Sequence, residues 1–273
     1  MDGMVPVSGR QRAVTGRALA ILLFILVVSN LLASPVEGTT ATATEGAYSF
    51  PLSDAIMSDP DGFLILVNTD HPLSSSDKPA DLVNVSARKT SSTAIQLRKP
   101  VSLALSELFD AAKSDGLTLY IHSGYRSYQT QRDMFAIRME RLGYDDKMVQ
   151  KAGASDHQTG MGADVINKAL IGQRFGESYA GTKEGQWLAE HCAEFGFVIR
   201  YPKGKEGVTG INYEPWHLRY VGPDAARYMT DAGITLEELW EQWDAYQSGE
   251  WVGGGDDAPG AFVIDDGELV GGG

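Results

Sequence analysis

The chain has 273 residues, of which 43% are hydrophobic and 22% are charged, an ordinary balance for a soluble folded protein. Its formal net charge of −13 at pH 7 argues against a nucleic-acid partner, because nucleic-acid phosphates require a basic protein face. The acidic balance does not exclude a small anionic substrate, since one buried arginine can bind one carboxylate.

The N-terminal segment has the pattern of an export signal. Three arginines within the first 17 residues precede an uninterrupted apolar run from Ala18 to Val28. This length fits the ~7–15 apolar residues of a secretory signal better than the ~20 residues of a membrane-spanning helix. We therefore predict that residues 1–38 are either a cleaved signal peptide or an uncleaved signal anchor. Both alternatives place the rest of the chain outside the cytoplasm and confine membrane contact to this segment.

Composition divides the remainder of the chain into three parts. Residues 39–62 begin with a low-complexity run of threonine and alanine, and we predict a linker. Residues 63–246 carry the periodic apolar patterns of one folded domain. Residues 247–273 are rich in glycine and acidic side chains, so we predict a disordered acidic tail.

Apolar periodicity predicts both helices and strands in the central domain. The predicted strands cover residues 63–68, 117–121, 162–166, 197–201 and 216–221. The predicted helices cover residues 100–113, 129–142, 187–195, 223–231 and 235–246. In the second of these helices, Met134, Ile137 and Leu142 are expected to point inward. Because no regular β-α-β rhythm or glycine-rich phosphate turn is present, we predict an α+β fold: a single domain with a central, mainly antiparallel sheet flanked by helices.

Cys192 is the only cysteine of the chain, so no intramolecular disulfide can form. It lies in a stretch with helical periodicity, which favours a buried, inert thiol over a reactive one. Core packing must therefore stabilise the exported domain.

Three separated side chains could together bind a metal ion. His157, Asp164 and His217 offer two nitrogens and one oxygen, and a catalytic zinc takes three protein ligands while leaving its fourth position to water. Glycines around His157 leave little bulk to crowd an ion. From the residues alone, the alternative is a helix-capping aspartate and a surface histidine.

Glu214 precedes the last of these candidate ligands by three positions and is a candidate general base. On an ideal strand Glu214 and His217 would face opposite sides of the sheet. Pro215 biases Glu214 away from helical angles and indicates a bend that lets both side chains face one cavity. Trp216, between them, is either a core residue or a wall of the substrate site.

Arg126 follows a predicted buried strand, and arginine is rarely buried without an anionic partner. One interpretation is a structural salt bridge. The other is a guanidinium directed at a substrate carboxylate or at the developing oxyanion. His71, His122 and His191 have no comparable neighbours and are predicted to be surface or packing residues.

At these residues the chain resembles peptidase family M15, and within it the VanY-type D-alanyl-D-alanine carboxypeptidases (M15B). The family pattern S-x-H-x-x-G-x-A-x-D matches residues 155–164, with Gly162 where alanine is usual. Two further family blocks match residues 123–131 and 214–222, and the resemblance spans residues 63–243. It implies the fold shared by Hedgehog-type proteins and these DD-peptidases.

The resemblance also implies a function for these residues. One zinc ion per chain would be held by His157, Asp164 and His217, with Glu214 as the catalytic base. Arg126, Gln131 and Ser155 would bind the terminal carboxylate of the substrate or steady the tetrahedral intermediate. The implied substrate is a peptidoglycan stem peptide, and the expected location is the cell-wall space, with the protein either secreted or anchored to the cytoplasmic membrane by its N-terminal segment.

Two alternatives remain open at this point. An LD-carboxypeptidase acting on tetrapeptide stems would use the same motif residues, which contact the metal and the terminal D-alanine in either case. A protein of a different class, a non-catalytic metal-bearing module that binds cell-wall peptide, would be expected to lack the base or the arginine, and this chain has both.

Overall fold

The computed structural model describes residues 50–251. The helices are α1 (Asp54–Met57), α2 (Lys99–Ser114), α3 (Tyr128–Leu142), α4 (Lys183–His191), α5 (Glu206–Thr209), α6 (Pro223–Asp231) and α7 (Leu236–Ser248). The strands are β1 (Leu82–Asn84), β2 (Gln96–Arg98), β3 (Leu119–Ser123), β4 (Gly162–Asn167), β5 (Phe197–Ile199) and β6 (His217–Tyr220).

A four-stranded sheet forms the centre of the domain. Its order is β3-β4-β6-β5, and every neighbouring pair is antiparallel. A second, two-stranded antiparallel sheet joins β1 to β2. Helices flank the central sheet, and the predicted α+β class with a mainly antiparallel sheet is confirmed.

Helix α2 packs one apolar face into the main core. It buries Val101, Leu105, Leu108 and Ala112, which are spaced three or four residues apart as a helix face requires. These side chains join buried residues of the sheet such as Ile121 in one cluster. Each buried leucine contributes about 1.5–3 kcal/mol of transfer free energy.

Helix α3 begins and ends as the sequence predicts, but its orientation differs from the prediction. The Ser127 side chain caps its first turn, and Gly143 ends it in the left-handed conformation with a φ of +79°. Met134 and Ile137 are 38% and 65% exposed, so their predicted inward orientation is wrong. The buried side chain of α3 is polar Gln131, because this helix packs beside a polar cavity rather than on the core.

The predicted strand at residues 63–68 is also wrong, because this apolar run pairs with no strand of the described region. Buried backbone groups still need partners, and here side chains supply them. Arg219 Nη2 donates to the carbonyl oxygens of Phe63 and Ile65 at 3.0 and 2.8 Å. The indole of Trp240 donates to the carbonyl between them at 2.7 Å.

The described part of the predicted linker, residues 50–62, packs against the C-terminal helices instead of crossing solvent. Phe50 lies edge-on to Trp243 with ring centroids 5.1 Å apart, and Leu52 and Met57 are buried in the same cluster. Phe50 finds its aromatic partners near the far end of the chain, which local composition cannot reveal. Ordered packing thus extends N-terminal to the predicted domain boundary.

The predicted signal segment, residues 1–38, and the part of the predicted tail beyond Trp251 lie outside the described residues, so both stay predictions. The first residues of the predicted tail are ordered instead, because α7 continues to Ser248 and the Trp251 ring packs on Phe50 with centroids 5.4 Å apart. Within residues 50–251, no helix has the length and apolar character needed to cross a membrane.

Cys192 is buried, as predicted, with 1% of its surface exposed. Burial raises the pKa of its thiol to about 12, so the sulfur stays protonated at neutral pH.

Candidate metal and catalytic site

The antiparallel pairing of β4 with β6 brings the three candidate ligands together. Asp164 and His217 are directly opposite each other in this ladder. His157 lies on a short 3-10 turn, Asp156–Thr159, that leads into β4. One ligand atom from each of the three lies within 4.8 Å of the other two. Residues that are far apart in sequence therefore form one compact, buried cluster.

His157 presents a free ring nitrogen to this cluster. Its Nδ1 lies 2.7 Å from the carbonyl oxygen of Gly124, which can only accept, so Nδ1 carries the proton. The opposite nitrogen, Nε2, is buried without a hydrogen-bond partner and lies 3.4 Å from Asp164 Oδ2. Burial and the nearby Arg126 charge lower the pKa of His157 to about 4, which keeps the ring neutral and its lone pair available.

The electrostatic surroundings of His217 and Asp164 favour positive charge. His217 Nδ1 lies 3.3 Å from Asp164 Oδ1 and 3.4 Å from Glu214 Oε2. Burial alone would lower the pKa of His217, but the two carboxylates outweigh it and raise the value to about 9. Burial likewise opposes ionisation of Asp164, yet the two imidazoles hold its pKa well below the usual range. A divalent metal ion meets the same electrostatic demand, and two imidazoles with one carboxylate suit zinc.

Glu214 reaches this cluster from a turn rather than from a strand. Its backbone N–H donates to Tyr201 O at 3.0 Å, and its carbonyl accepts from His217 N at 3.1 Å. The bend predicted from Pro215 thus places Glu214 and His217 on the same side. Glu214 is 6% exposed, and burial raises its pKa although the hydrogen bond with His217 opposes the rise. A carboxylate in this environment has the basicity of a general base.

Arg126 is held beside the cluster by several contacts. Its backbone N–H donates to His157 O at 3.0 Å, and Nη1 donates to Gln131 Oε1 at 3.0 Å. Its Nη2 is 3.9 Å from Asp164 Oδ2, a long ion pair, and its Nε is buried without a partner. A structural salt bridge alone leaves this guanidinium incompletely paired, which favours a substrate carboxylate as its further partner.

Gln131 and Ser155 have different surroundings. The Gln131 amide bridges Arg126 and the carbonyl oxygen of Gln150, to which its Nε2 donates at 2.6 Å. It therefore positions Arg126 and has its own hydrogen bonds satisfied within the protein. Ser155 is 3% exposed, directly precedes the ligand turn, and makes no capping hydrogen bond through its hydroxyl.

Several of the candidate site residues line a cavity of about 310 Å³. Arg126, Asp164, Glu214 and His217 line it, together with Trp216. Trp216 is 4% exposed and belongs to the main core as well, so both of its predicted roles apply. The cavity is near the lower end of the ~300–1,000 Å³ typical of ligand sites.

His122, expected to be a surface or packing residue, is exposed and packs on a neighbouring ring, but its position at the cavity was not predicted. Its side chain is exposed at the cavity wall, and its ring lies edge-on to Phe175 with centroids 4.8 Å apart. The sequence did indicate this position, because His122 directly precedes the Ser123–Ser127 motif that contains Arg126.

A buried ionic network behind the metal cluster was also missed. We call it the ionic quartet: Asp156, Arg200, Arg219 and Glu237, each buried. Asp156 pairs with both arginines, with Arg200 Nε at 2.8 Å, and Arg200 binds both oxygens of Glu237 at 2.7 and 2.8 Å. The sequence did contain an indication of this network. Arg200 follows an apolar strand and Arg219 lies within one, and a buried guanidinium needs an anionic partner.

Comparisons with known proteins agree with this site. The family model for VanY, D-alanyl-D-alanine carboxypeptidase, matches residues 94–223. The putative carboxypeptidase YodJ of Bacillus subtilis (strain 168) is 39% identical over 190 residues, which cover 67% of this chain and 68% of the relative.

Two solved structures are similar in sequence and in fold. The LdcB LD-carboxypeptidase has a TM-score of 0.62 and 38% identity, covering 67% of this chain and 87% of its own. The vancomycin-resistance D,D-pentapeptidase VanY was solved as a variant in complex with Zn(II). It has a TM-score of 0.54 and 31% identity, and the match covers 65% of this chain and 98% of the VanY chain. The cluster of His157, Asp164 and His217, the motifs around it and these likenesses agree: the chain belongs to the VanY family of D-alanyl-D-alanine carboxypeptidases.

Proposed function

We propose that this chain is an exported, zinc-dependent D-alanyl-D-alanine carboxypeptidase that removes the C-terminal D-alanine from peptidoglycan stem peptides. The observation that carries the proposal is the position of Glu214. This carboxylate lies 3.4 Å from His217 Nδ1, inside the cavity and beside the three candidate ligands. Membership of the VanY family and the Zn(II) in a solved relative support it.

The residues divide the chemistry between them. His157, Asp164 and His217 would hold the metal, and a zinc ion bound there would supply Lewis-acid polarisation of the scissile carbonyl and a water whose pKa is lowered from about 15.7 toward 7. Glu214 takes the proton of the attacking water and later delivers it to the leaving amine. Arg126 binds the terminal carboxylate of the peptide, Gln131 holds its guanidinium in position, and Ser155 at the start of the ligand turn supplies a further hydroxyl to the substrate.

The assay that tests this function measures D-alanine release from a pentapeptide stem. We expect the zinc-loaded chain to release one D-alanine per peptide, a chelator to abolish release, and added zinc to restore it. Product masses that do not change under zinc-saturating conditions would contradict the proposal.

The Glu214→Gln variant isolates the base from the metal site. Because glutamine cannot accept the proton of the attacking water, we expect kcat to fall by about 10²–10⁴-fold. Zinc content and melting temperature should stay near the wild-type values, since Glu214 is not one of the three ligands. Glu107→Gln, on the exposed side of α2, is the matched control and should keep full activity. An unchanged kcat in the Glu214 variant would remove this residue from the mechanism.

A second candidate function is LD-carboxypeptidase activity on tetrapeptide stems. It is favoured by the higher TM-score and identity of the LdcB LD-carboxypeptidase, 0.62 and 38%, against 0.54 and 31% for VanY. Parallel incubation with pentapeptide and tetrapeptide stems separates the two functions. Conversion of pentapeptide to tetrapeptide alone supports the DD activity, whereas conversion of tetrapeptide to tripeptide supports the LD activity.

The non-catalytic binding module is disfavoured by the retained machinery. Glu214 and Arg126 both line the cavity, where a module that only binds peptide would need neither a base nor an oxyanion partner. Peptide binding without zinc-dependent turnover would nevertheless support that module.

Export rests on the sequence of residues 1–38. We expect the full chain to fractionate with the cell envelope or the culture medium, according to whether the segment is retained or cleaved. Recovery of the active protein only in the cytosol would contradict export. Membrane contact is proposed through this segment alone.

A further inference from the structure

Within residues 50–251, every charged side chain that lines the catalytic cavity has an oppositely charged neighbour, with one exception. Arg126 lies near Asp164, and Glu214 lies near His217. Arg138 is bound by both carboxylate oxygens of Asp146, with Nε donating at 2.6 Å, so its charge is compensated. Arg174 lines the same cavity but forms no ion pair and no side-chain hydrogen bond with any residue in the 50–251 region.

Arg174 lies where a bound peptide must leave the cavity. It is exposed and also lines the cavity, so it is at the opening. Its neighbour Phe175 is fixed edge-on to His122 and Trp216, with centroid distances of 4.8 and 5.5 Å. Gln173, on the other side of Arg174, also lines the cavity, and its N–H donates to Leu170 O at 3.0 Å. This anchoring keeps the guanidinium at the cavity mouth.

We infer that Arg174 binds a second carboxylate of the substrate, on the residue that immediately precedes the D-alanine pair. This inference rests on the proposed function. A cavity of about 310 Å³ holds only the last residues of a peptide, so the preceding residue lies at the opening. Arg126 takes the terminal carboxylate inside, and a second arginine at the mouth matches a second anion. The chain thereby prefers an acidic residue at that position over its uncharged amide.

The size of this preference follows from the exposure of Arg174. A guanidinium–carboxylate pair at a solvated opening is screened, so it contributes far less than a buried pair. We expect a difference of about threefold to tenfold in kcat/KM, carried by KM and reduced as the salt concentration rises.

The test uses the full zinc-loaded chain and two matched peptides, acetyl-L-Glu-D-Ala-D-Ala and acetyl-L-Gln-D-Ala-D-Ala. Wild type should prefer the glutamate peptide, Arg174→Gln should lose the preference through KM, and Arg174→Lys should retain most of it. Kcat for the glutamine peptide should not change in either variant. Arg141→Gln is the control, because Arg141 is exposed on α3 and does not line the cavity.

The outcomes separate this inference from the function on which it rests. Equal kcat/KM for the two peptides in wild type, or a preference that survives Arg174→Gln, overturns the role of Arg174 and leaves the carboxypeptidase activity standing. Absence of D-alanine release from both peptides, and also from the pentapeptide stem, overturns both.

Discussion

The ionic quartet and the cluster of candidate metal ligands (His157, Asp164 and His217) are both buried, and consecutive residues, Asp156 and His157, belong to one and the other. The two clusters differ in how completely their polar atoms are paired. In the ionic quartet every charged group has an opposite charge in contact, and the carbonyl oxygens of residues 63–67 take up further guanidinium protons. In the cluster of candidate metal ligands, His157 Nε2 is buried without a hydrogen-bond partner, 3.4 Å from Asp164 Oδ2.

The difference separates scaffold from function. A fully paired buried network has no capacity left for a ligand, and its role is to hold the backbone in place. A buried polar atom without a partner costs free energy, so the unpaired His157 Nε2 beside the Asp164 carboxylate indicates a group that binds there. Asp156 links the two clusters, because the quartet fixes the turn from which His157 presents Nε2 to the candidate metal site.

The largest expected effect comes from removing a ligand. In His157→Ala the site keeps one imidazole and one carboxylate, so we expect bound zinc to fall from one per chain to near zero, with loss of D-alanine release. Zinc content after dialysis is the measurement. His191→Ala is the control, because that half-exposed histidine pairs with Glu194 away from the cavity and should retain the metal. Full zinc content in His157→Ala would show that the paired and unpaired clusters do not differ in the way described.

Removing the central carboxylate of the quartet should instead reduce stability. Asp156→Asn leaves Arg200 and Arg219 without their shared anion, which we expect to cost about 3–5 kcal/mol of unfolding free energy. Asp224→Asn is the matched control, since the Asp224–Arg227 pair is exposed and worth at most about 1 kcal/mol. Urea unfolding of the zinc-free proteins measures both. Equal losses in the two variants would mean that burial of the quartet carries no structural role.

Acid should weaken the quartet in a defined direction. Burial alone would raise the pKa values of Asp156 and Glu237. The neighbouring arginines outweigh burial and lower both pKa values from their ordinary values of 3.8 and 4.5. Their stabilisation is therefore present above about pH 4.5 and is lost as the pH falls through the folded-state values. Glu237→Gln removes one such group, so its unfolding free energy should fall less steeply below about pH 4.5 than that of wild type. Parallel slopes in zinc-free protein would exclude Glu237 from the acid response.

The smallest expected effect concerns the packing between the two clusters. At Gly162 an added Cβ would lie 3.1 Å from Asp156 C and 3.1 Å from His157 N, both backbone atoms of the ligand turn. Restoring the usual family residue by Gly162→Ala should therefore cost about 1 kcal/mol and weaken zinc binding, because overpacking displaces the turn. Gly207→Ala, where a Cβ would meet nothing within 4 Å, is the control. A stabilised Gly162 variant with unchanged zinc affinity would show that the turn has room to adjust.

The sequence predicted the helices, the central strands and the chemistry of the site better than it predicted long-range packing. The motif around His157 and the bend at Pro215 are local, so their pattern carries over to geometry. From the residues alone, a surface histidine was the favoured interpretation of His157, and only the resemblance to a family favoured a metal ligand.

The misses share a physical cause, which is that the partner comes from a distant part of the chain. Residues 63–68 have the composition of a strand, but arginine and tryptophan side chains of the C-terminal half take the place of a neighbouring strand. Phe50 lies in a predicted linker and packs on α7. Ile137 has the hydrophobicity of a core residue yet is 65% exposed, and the buried side chain of α3 is Gln131 instead. The local periodicity of the sequence therefore cannot predict these contacts.

A crystal structure of the zinc-loaded chain with anomalous data at the zinc edge would locate the metal directly. We expect one peak per chain, about 2.0–2.2 Å from His157 Nε2, an Asp164 oxygen and His217 Nδ1, with Glu214 outside the coordination sphere. A peak elsewhere, or a Glu214 oxygen in place of one of the three ligands, would contradict this assignment.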